Sequence, residues 1–186
     1  MSVTATKRGA EVITLGSGDF MVKEYTTTIP AYSAFSASTD LLGRSKGGAT
    51  LEYSPEFYEA KDDSGKVVKE VITDEAATLK SGIITWNGAT LKKLCSTARV
   101  TEEGNYRTVK IGGINQDDRK KYALCFHHSD PVDGDVYIVI AGRNRSGFSL
   151  AFTKDSETVI DAEFKAVPQD SDGTLITFVE QIADPE

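Results

Sequence analysis

The chain has 186 residues, of which 39% are hydrophobic and 26% are charged, and its formal net charge is −7. That length suits one domain, which can bury a core without disulfides or a metal. No apolar run approaches the ~20 residues needed to cross a bilayer, and residues 1–12 lack the apolar segment of a secretory signal. We therefore expect neither a membrane segment nor export.

The acidic excess is concentrated near the end of the sequence. Residues 155–186 carry nine acidic side chains and one basic side chain, Lys165, whereas residues 1–154 carry 19 acidic and 20 basic ones. A conventional nucleic-acid binder needs clustered lysine and arginine to displace counterions, so this balance argues against one. The acidic end predicts a surface that repels DNA or maintains solubility.

Residues 1–50 are rich in glycine and serine and predict an N-terminal arm of the same domain. Strand-like pieces occur at Val12–Leu15 and Phe20–Ile29. Gly43–Gly48 leaves little apolar material for a core, which predicts a loosely held segment. We assign the core to residues 51–182 and a short tail to residues 183–186.

A long hairpin follows the arm. In Thr50–Phe57 apolar and polar residues alternate, which predicts a half-buried strand, and Pro55 indicates an edge or a bulge. The turn residues Asp62–Gly65 would join a strand at Leu51–Ala60 to one at Lys66–Thr73.

One helix is predicted at about residues 87–98. Asn87 can cap its N-terminus, and Leu91, Leu94, Cys95 and Ala98 recur with the spacing of one helical face. A single amphipathic helix has to place that face against a sheet.

The rest of the chain is predicted to be strands. Alternation marks half-buried strands at Tyr122–Phe126, Phe148–Phe152 and Ile160–Ala166, and the uniformly apolar Val136–Ala141 predicts a strand covered on both faces. Two further predicted turns are Arg143–Gly147, leading into Phe148–Thr153, and Asp170–Gly173, leading into Thr174–Val179. The fold class is therefore mainly β, an antiparallel β-sandwich or barrel with one short flanking α-helix, an extended N-terminal arm and hairpin loops.

The sequence lacks a recognisable catalytic or metal-binding pattern. His127 and His128 are adjacent on a strand and point to opposite faces, so they cannot easily bind one metal. Asp130–Asp135 lacks the pattern of a calcium loop, and it predicts an ordinary turn. Cys95 and Cys125 are expected to be reduced, buried thiols. We expect no enzyme activity, no metal and no cofactor.

The order of elements resembles the tail tube proteins of tailed bacteriophages and related injection machines. A strand ending in Ile83-Ile84-Thr85-Trp86 leads into the single helix, and antiparallel strands follow. The most specific similarity is the closing segment Asp161–Pro168, followed by an Asp-Gly turn and Thr174–Phe178. The resemblance covers roughly residues 50–180 and is one of overall pattern.

This resemblance implies a structural virion protein, assembled in the host bacterial cytoplasm. Its copies would form hexameric rings that stack into a hollow tube, through which DNA passes without specific binding. Implied partners are other copies, the tape measure, terminator and distal tail proteins, and in a contractile tail the sheath.

By the same resemblance, an arm and a hairpin make contacts between rings, and an acidic wall faces the lumen. The predicted contact residues are Gly43, Arg44, Ser45, Lys46, Gly47, Gly48, Lys61, Asp62, Asp63, Ser64, Gly65 and Lys66, all expected to be mobile in the monomer. Arg143 and Arg145 are candidate intersubunit anchors because arginine pairs well with carboxylates. Asp161 and Glu163 are the predicted lumen-facing acids.

Three alternatives stay open. The first is a carbohydrate- or ligand-binding β-sandwich, in which Trp86, Tyr53 and Tyr58 would stack on a sugar. The second is another ring-forming tail component, a terminator or a distal adaptor. The third is a small hydrolase that recruits His127 or His128.

Overall fold

The computed structural model describes residues 16–155 and 157–182. The predicted strand piece at 12–15 and the tail at 183–186 lie outside the described residues. The described elements, in chain order, are β1 (Asp19–Tyr25), β2 (Leu41–Lys61), β3 (Val67–Ile83), α1 (Gly88–Leu94), β4 (Arg99–Glu103), β5 (Tyr106–Lys110), β6 (Lys121–His128), β7 (Val136–Asn144), β8 (Ile160–Val167) and β9 (Thr177–Glu180). Single turns of 3-10 helix occur at Tyr32–Ala34 and Ile114–Gln116.

Six strands close into an antiparallel barrel. The sheet runs in the order β6-β1-β2-β3-β8-β7, and β6 also pairs with β7, so the ring of pairings is complete within one chain. All of these pairings are antiparallel. The prediction of a mainly β, antiparallel fold with one short helix is confirmed.

The barrel interior is filled by apolar side chains. Phe20 and Phe164 stack with ring centroids 6.4 Å apart, and Phe126 packs against Phe20 at 5.3 Å. Other fully buried members are Leu79, Ile83, Leu124, Ile140 and Ile160. The space inside a single barrel is therefore a core and not a channel.

Strand β8 follows its predicted alternation through all eight residues. Ile160, Ala162, Phe164 and Ala166 are buried, whereas Asp161, Glu163, Lys165 and Val167 are exposed. The two-residue period of a strand places the first set in the core and the second set on the outer face of the barrel.

A second, smaller core covers the outer face of β6 and β7. Met21, Cys125 and Val139 are buried there beneath Ile29 and Phe35. Strand β6 is thus buried on both faces, although its alternation predicts one exposed face. Strand β7 is largely buried on both, as predicted.

Helix α1 begins where predicted and ends earlier. The Asn87 side chain accepts hydrogen bonds from the backbone N–H groups of Ala89 and Thr90, and the Thr90 hydroxyl accepts one from the backbone N–H of Asn87. The helix ends at Leu94 instead of 98, because Cys95 adopts an extended conformation. Leu94 still reaches the main core.

Residues 43–48 do not form the loosely held segment predicted from their composition. They belong to β2, where Gly43 lies so close to β3 that a Cβ atom would stand 2.2 Å from Ile83 Cγ2. Gly47 and Gly48 have φ values of +78° and +77° and form a bulge at which the pairing with β3 shifts. Glycine here permits close packing and a bend rather than mobility.

Near the end of the chain one predicted strand is absent, and another, predicted at Thr174–Val179, spans Thr177–Glu180. Phe148–Thr153 is not a strand, and Phe148 and Leu150 instead pack against the main core from an irregular segment. Strand β7 pairs with the distant β8 in its place. Strand β9 pairs with β7 and not with β8. Strand β8 pairs with Ala141–Asn144 and β9 with Val136–Val139, so both lie along the same edge of β7, joined by the irregular segment 168–176.

Candidate assembly surface

A two-stranded ribbon, residues 51–77, extends from the barrel. Strand β2 pairs with β1 only between Leu41 and Arg44, and β3 pairs with β8 only between Thr78 and Ile83. Beyond these positions β2 and β3 pair with each other alone as far as Lys61 and Val67. The ribbon therefore keeps unpaired edges, and the segment 168–176 lies beside Ile72–Glu75, with which it lines a cavity of about 310 Å³. A lone hairpin of this kind is only marginally stable in water.

The ribbon exposes apolar side chains that a soluble monomer usually covers. Seven are between 40% and 65% exposed, namely Tyr53, Phe57, Tyr58, Val67, Val68, Val71 and Ile72. Phe57 is directly opposite Ile72, and Tyr58 is directly opposite Val71. These two successive pairs face opposite sides of the ribbon, so both faces expose apolar surface, and large exposed apolar surface marks interaction sites.

The half-buried strand predicted at Thr50–Phe57 is thus buried only at its base. Leu51 packs against the main core, whereas Tyr53 and Phe57 are exposed. The alternation is real, but on the apolar face Tyr53 and Phe57 stay about half exposed within the described chain.

The structure does not assemble the three aromatic residues of the predicted sugar platform. Tyr53 and Tyr58 are five residues apart on one strand and so face opposite sides of the ribbon. Trp86 packs against the main core and lies 6.2 Å from Phe152, centroid to centroid. The Tyr53 hydroxyl donates a hydrogen bond to the Glu75 carboxylate.

The ribbon tip is an ordered turn. One carboxylate oxygen of Asp62 accepts hydrogen bonds from the backbone N–H groups of Ser64 and Lys66, both at 2.9 Å, and from the Ser64 hydroxyl at 2.6 Å. These bonds, the Ser64 hydroxyl foremost, lower the pKa of Asp62. Gly65 takes φ +81° to close the turn. The tip, predicted to be mobile in the monomer, is preorganised instead.

The ribbon is also strongly acidic. Residues 51–77 carry eight acidic and three basic side chains. Two like-charged pairs face each other directly across the strands, Glu56 with Asp74 and Glu59 with Glu70. Directly opposed like charges destabilise a strand pair. Lys61 contacts Glu59 at 3.4 Å, which offsets one pair only in part.

Arg143 and Arg145 line a cavity of about 390 Å³ on the outer face of the barrel. They do not sit in a hairpin, as predicted, but at and just beyond the end of β7. Other lining residues are Tyr25, Lys121, Tyr122 and Pro168. Arg143 donates a hydrogen bond to Asp117 at 3.3 Å.

A groove of about 520 Å³ at the base of the ribbon brings together two predicted groups. Lys46, Gly47 and Gly48 line one side, and Asp161 and Glu163 line the other. Glu163 is directly opposite Lys80, and Lys80 also contacts Glu52 at 2.8 Å. Asp161 and Glu163 thus lie on a face of mixed charge, outside the filled barrel.

The other predicted contact residues of β2 have structural roles. Ser45 is buried, and its hydroxyl donates to the Gly18 carbonyl at 2.9 Å. Arg44 is exposed and lies 4.0 Å from Asp19. Lys46 contacts Glu157.

The two histidines occupy different environments. His127 Nε2 forms a hydrogen bond with the Asp135 carboxylate at 2.9 Å, and the His127 ring stacks on Tyr137 with centroids 4.2 Å apart. Burial alone would raise the pKa of Asp135, but its hydrogen bonds, that with His127 foremost, lower it. His128 is buried and bonds through Nδ1 to the Ser17 carbonyl at 2.9 Å. Among residues 16–155 and 157–182, no three His, Cys, Asp or Glu side chains are grouped to hold a metal ion.

Both cysteines are free thiols. Burial raises the pKa of Cys125 to about 12 and also raises that of Cys95. Both thiols are therefore protonated and poorly nucleophilic at neutral pH.

The sequence predictions missed the small hairpin of β4 and β5, in which Arg99 is opposite Lys110. Gly104-Asn105 between two short β-prone runs is a hairpin signal that could have revealed it. They also missed the acidity of the ribbon, because its charge was averaged with the basic segment that follows.

No family model matches this chain, and no curated protein matches it either. No helix among the described residues is long and apolar enough to cross a membrane.

Proposed function

We propose that this chain is a structural subunit that assembles with its own copies, and specifically the tail tube protein of a phage-type tail. The observation that carries the proposal is the ribbon, residues 51–77, which exposes seven large apolar side chains beyond a closed and filled barrel. A surface of this kind needs a partner, and a second copy is the partner that a repeating tube supplies.

The closed barrel limits how copies join. A strand can pair with another subunit only through a backbone edge that is still free. In this chain the barrel strands already pair with neighbours on both sides; these strands are β1, β6, β7, β8 and the barrel parts of β2 and β3. A sheet shared between subunits would therefore have to use the ribbon edges, beyond Arg44 on β2 and before Thr78 on β3.

In the proposed assembly six copies form a ring, rings stack into a hollow tail tube, and DNA crosses the lumen without specific binding. The virion would contain the tube, together with tape measure, terminator and distal tail proteins. Asp161 and Glu163 stay the proposed lumen-facing acids. Lys80, directly opposite Glu163 on the same face, would moderate the repulsion of DNA.

Negative-stain electron microscopy of the purified, concentrated protein tests this proposal. Long hollow rods support the tube. Isolated rings point to a terminator or a distal adaptor, and a stable monomer at every concentration contradicts both.

Shortening the ribbon gives a second test. Replacing residues 57–73 by a two-residue turn should leave a folded barrel and abolish rods, because it removes the tip and the apolar pairs Phe57–Ile72 and Tyr58–Val71. A matched control shortens the β4–β5 hairpin, residues 101–108, and should leave rod formation unchanged. Full-length rods from the ribbon-shortened protein would contradict the assignment.

A further inference from the structure

Acidic and basic side chains are distributed unevenly between two consecutive segments of this chain. The ribbon, residues 51–77, carries eight acidic and three basic side chains, and the next segment, residues 78–154, carries twelve basic and seven acidic ones. The ribbon therefore has a net negative charge and the segment after it a net positive charge, so the ribbon of one copy can attract the basic segment of another copy.

The acidic partner is the ribbon itself. Glu56, Glu70 and Asp74 form no ion pair within the described chain, and each directly faces another acidic side chain across the ribbon. The repulsion destabilises the isolated ribbon. It is relieved when basic side chains approach from outside.

The basic partner is the surface around the 390 Å³ cavity, which we name the basic patch: Lys121, Arg143, Arg145 and Lys165. Arg143 is directly opposite Lys165, so this strand pair also opposes like charges. Among the described residues, Lys121, Arg145 and Lys165 have no ion pair, whereas Arg143 contacts Asp117.

The acidic groups near the basic patch have other neighbours: Glu163, on the same exposed face as Lys165, is directly opposite Lys80. Asp117 contacts Arg143, Glu24 contacts Lys120 at 2.6 Å, and Asp118 accepts a hydrogen bond from the Tyr122 hydroxyl at 3.5 Å. The patch therefore keeps a surplus of positive charge. Tyr25 and Pro168 add apolar surface to the cavity, which suits the exposed aromatic side chains of the ribbon.

The two surfaces are neighbours on the same chain. Lys165 of the patch is directly opposite Thr78, the residue that follows the ribbon on β3, and Pro168 lines both the cavity of the patch and a cavity beside Ile72 and Asp74 of the ribbon. A contact between two different surfaces of one chain produces a closed ring or an open stack, depending on whether the rotation between copies closes.

We infer that the acidic ribbon of one copy docks on the basic patch of another, with Glu56, Glu70 and Asp74 pairing with Lys121, Arg145 and Lys165. This inference rests on the proposed function and adds to it which surface receives the ribbon. Arginine and lysine beside carboxylates at a partly desolvated contact provide both specificity and steering.

A charge-reversal experiment tests the pairing. The ribbon variant is Glu56→Lys/Glu70→Lys, and the patch variant is Arg145→Glu/Lys165→Glu. The ribbon variant turns two like-charged pairs into opposite-charged pairs, and Lys165→Glu does the same for the pair with Arg143, so each monomer should still fold. Each should nevertheless raise the critical concentration for assembly about tenfold or more.

Mixing is the decisive step. A 1:1 mixture of the two variants restores complementary contacts between unlike copies, so it should assemble where neither variant does alone. The same recovery is expected when all four substitutions are placed in one chain. The control Lys92→Glu/Lys110→Glu changes the net charge as the patch variant does, at exposed positions outside both surfaces, and should assemble as the original does.

The outcomes separate the two proposals. If the original protein never assembles, the tube proposal fails. If it assembles but mixing gives no recovery, or either variant assembles normally, the pairing is overturned. A patch variant that assembles normally but loses retention of a short oligonucleotide at low salt would assign the patch to nucleic acid instead.

Discussion

The barrel and the ribbon are built from the same two strands and follow opposite rules. In the barrel, β2 and β3 each have a neighbour on both sides, and their inward side chains join a filled core. In the ribbon the same strands have only each other, and their large apolar side chains are exposed. The barrel can account for the stability of the monomer. The ribbon adds surface that only a partner can bury.

The largest expected difference compares two phenylalanines, one in each region. Phe164 is 2% exposed in the core, whereas Phe57 is 52% exposed on the ribbon. We expect Phe164→Ala to lower the free energy of unfolding by about 3–5 kcal/mol, because it leaves a cavity. Phe57→Ala should change it by less than about 0.5 kcal/mol. Urea denaturation of the monomer measures both.

In assembly we expect the opposite order of effects for these two substitutions. At a urea-free concentration at which Phe164→Ala is still folded, Phe57→Ala should show the larger defect in rod formation. If both substitutions lowered the free energy of unfolding of the monomer equally, the ribbon would have to pack on the barrel in solution, which would contradict the difference between the two regions.

A glycine in each region gives the next largest effect. Gly43→Ala places a methyl group 2.4 Å from the Thr85 carbonyl oxygen, a backbone atom that cannot easily move. We expect a loss of about 1–3 kcal/mol from overpacking. Gly65→Asn at the ribbon tip has open space around it, and asparagine tolerates positive φ, so thermal unfolding should shift little. A tolerated Gly43→Ala would contradict the close approach of β2 and β3.

Thiol labelling distinguishes the regions by access. Cys125 is buried with a pKa raised to about 12, so it should react with a thiol reagent at pH 8 only when the barrel opens. A cysteine introduced on the ribbon by Ser54→Cys should react at the rate of a free thiol. A Cys95→Ser background simplifies the measurement. Rapid labelling of Cys125 without denaturant would contradict the smaller core.

The smallest predicted effect is a pH dependence at the ribbon tip. Hydrogen bonds to the ionised Asp62 lower its pKa, so they support the turn above the ordinary carboxyl range and are lost as the pH falls through the lowered pKa. Amide chemical shifts of Ser64 and Lys66 should follow that titration. The Asp62→Asn variant should remove it, and an unchanged profile in that variant would contradict the turn.

Short-range sequence patterns correctly predicted the strands and the helix that pack against other parts of the same chain. Alternation at Ile160–Ala166 identified β8 residue by residue, and Asn87 marked the start of the helix. In both cases the short-range signal and the tertiary environment agree.

Pattern was insufficient where pairing is decided at long range. Phe148–Thr153 alternates as a strand does, yet β7 pairs with β8 and leaves that segment irregular. Gly47-Gly48 has the composition of a loop but forms a bulge within a strand. Alternation in Thr50–Phe57 identified an apolar face without indicating whether this chain covers it.

The candidate surface was predicted in part. The hairpin tip, Lys61–Lys66, was placed correctly from its turn residues. The acidity of the ribbon was hidden by counting charge over residues 1–154, in which the acidic ribbon and the basic segment after it cancel. The meeting of Lys121, Arg143 and Lys165 depends on the register of strands β6, β7 and β8, which no local signal determines.

Hydrogen exchange of the ribbon tests the central claim most directly. Amides at the outer edges of residues 51–77 should exchange rapidly in the dilute monomer and become strongly protected in the concentrated, assembled protein, while the barrel amides stay protected in both. Ribbon amides that exchange equally fast before and after assembly would contradict the account.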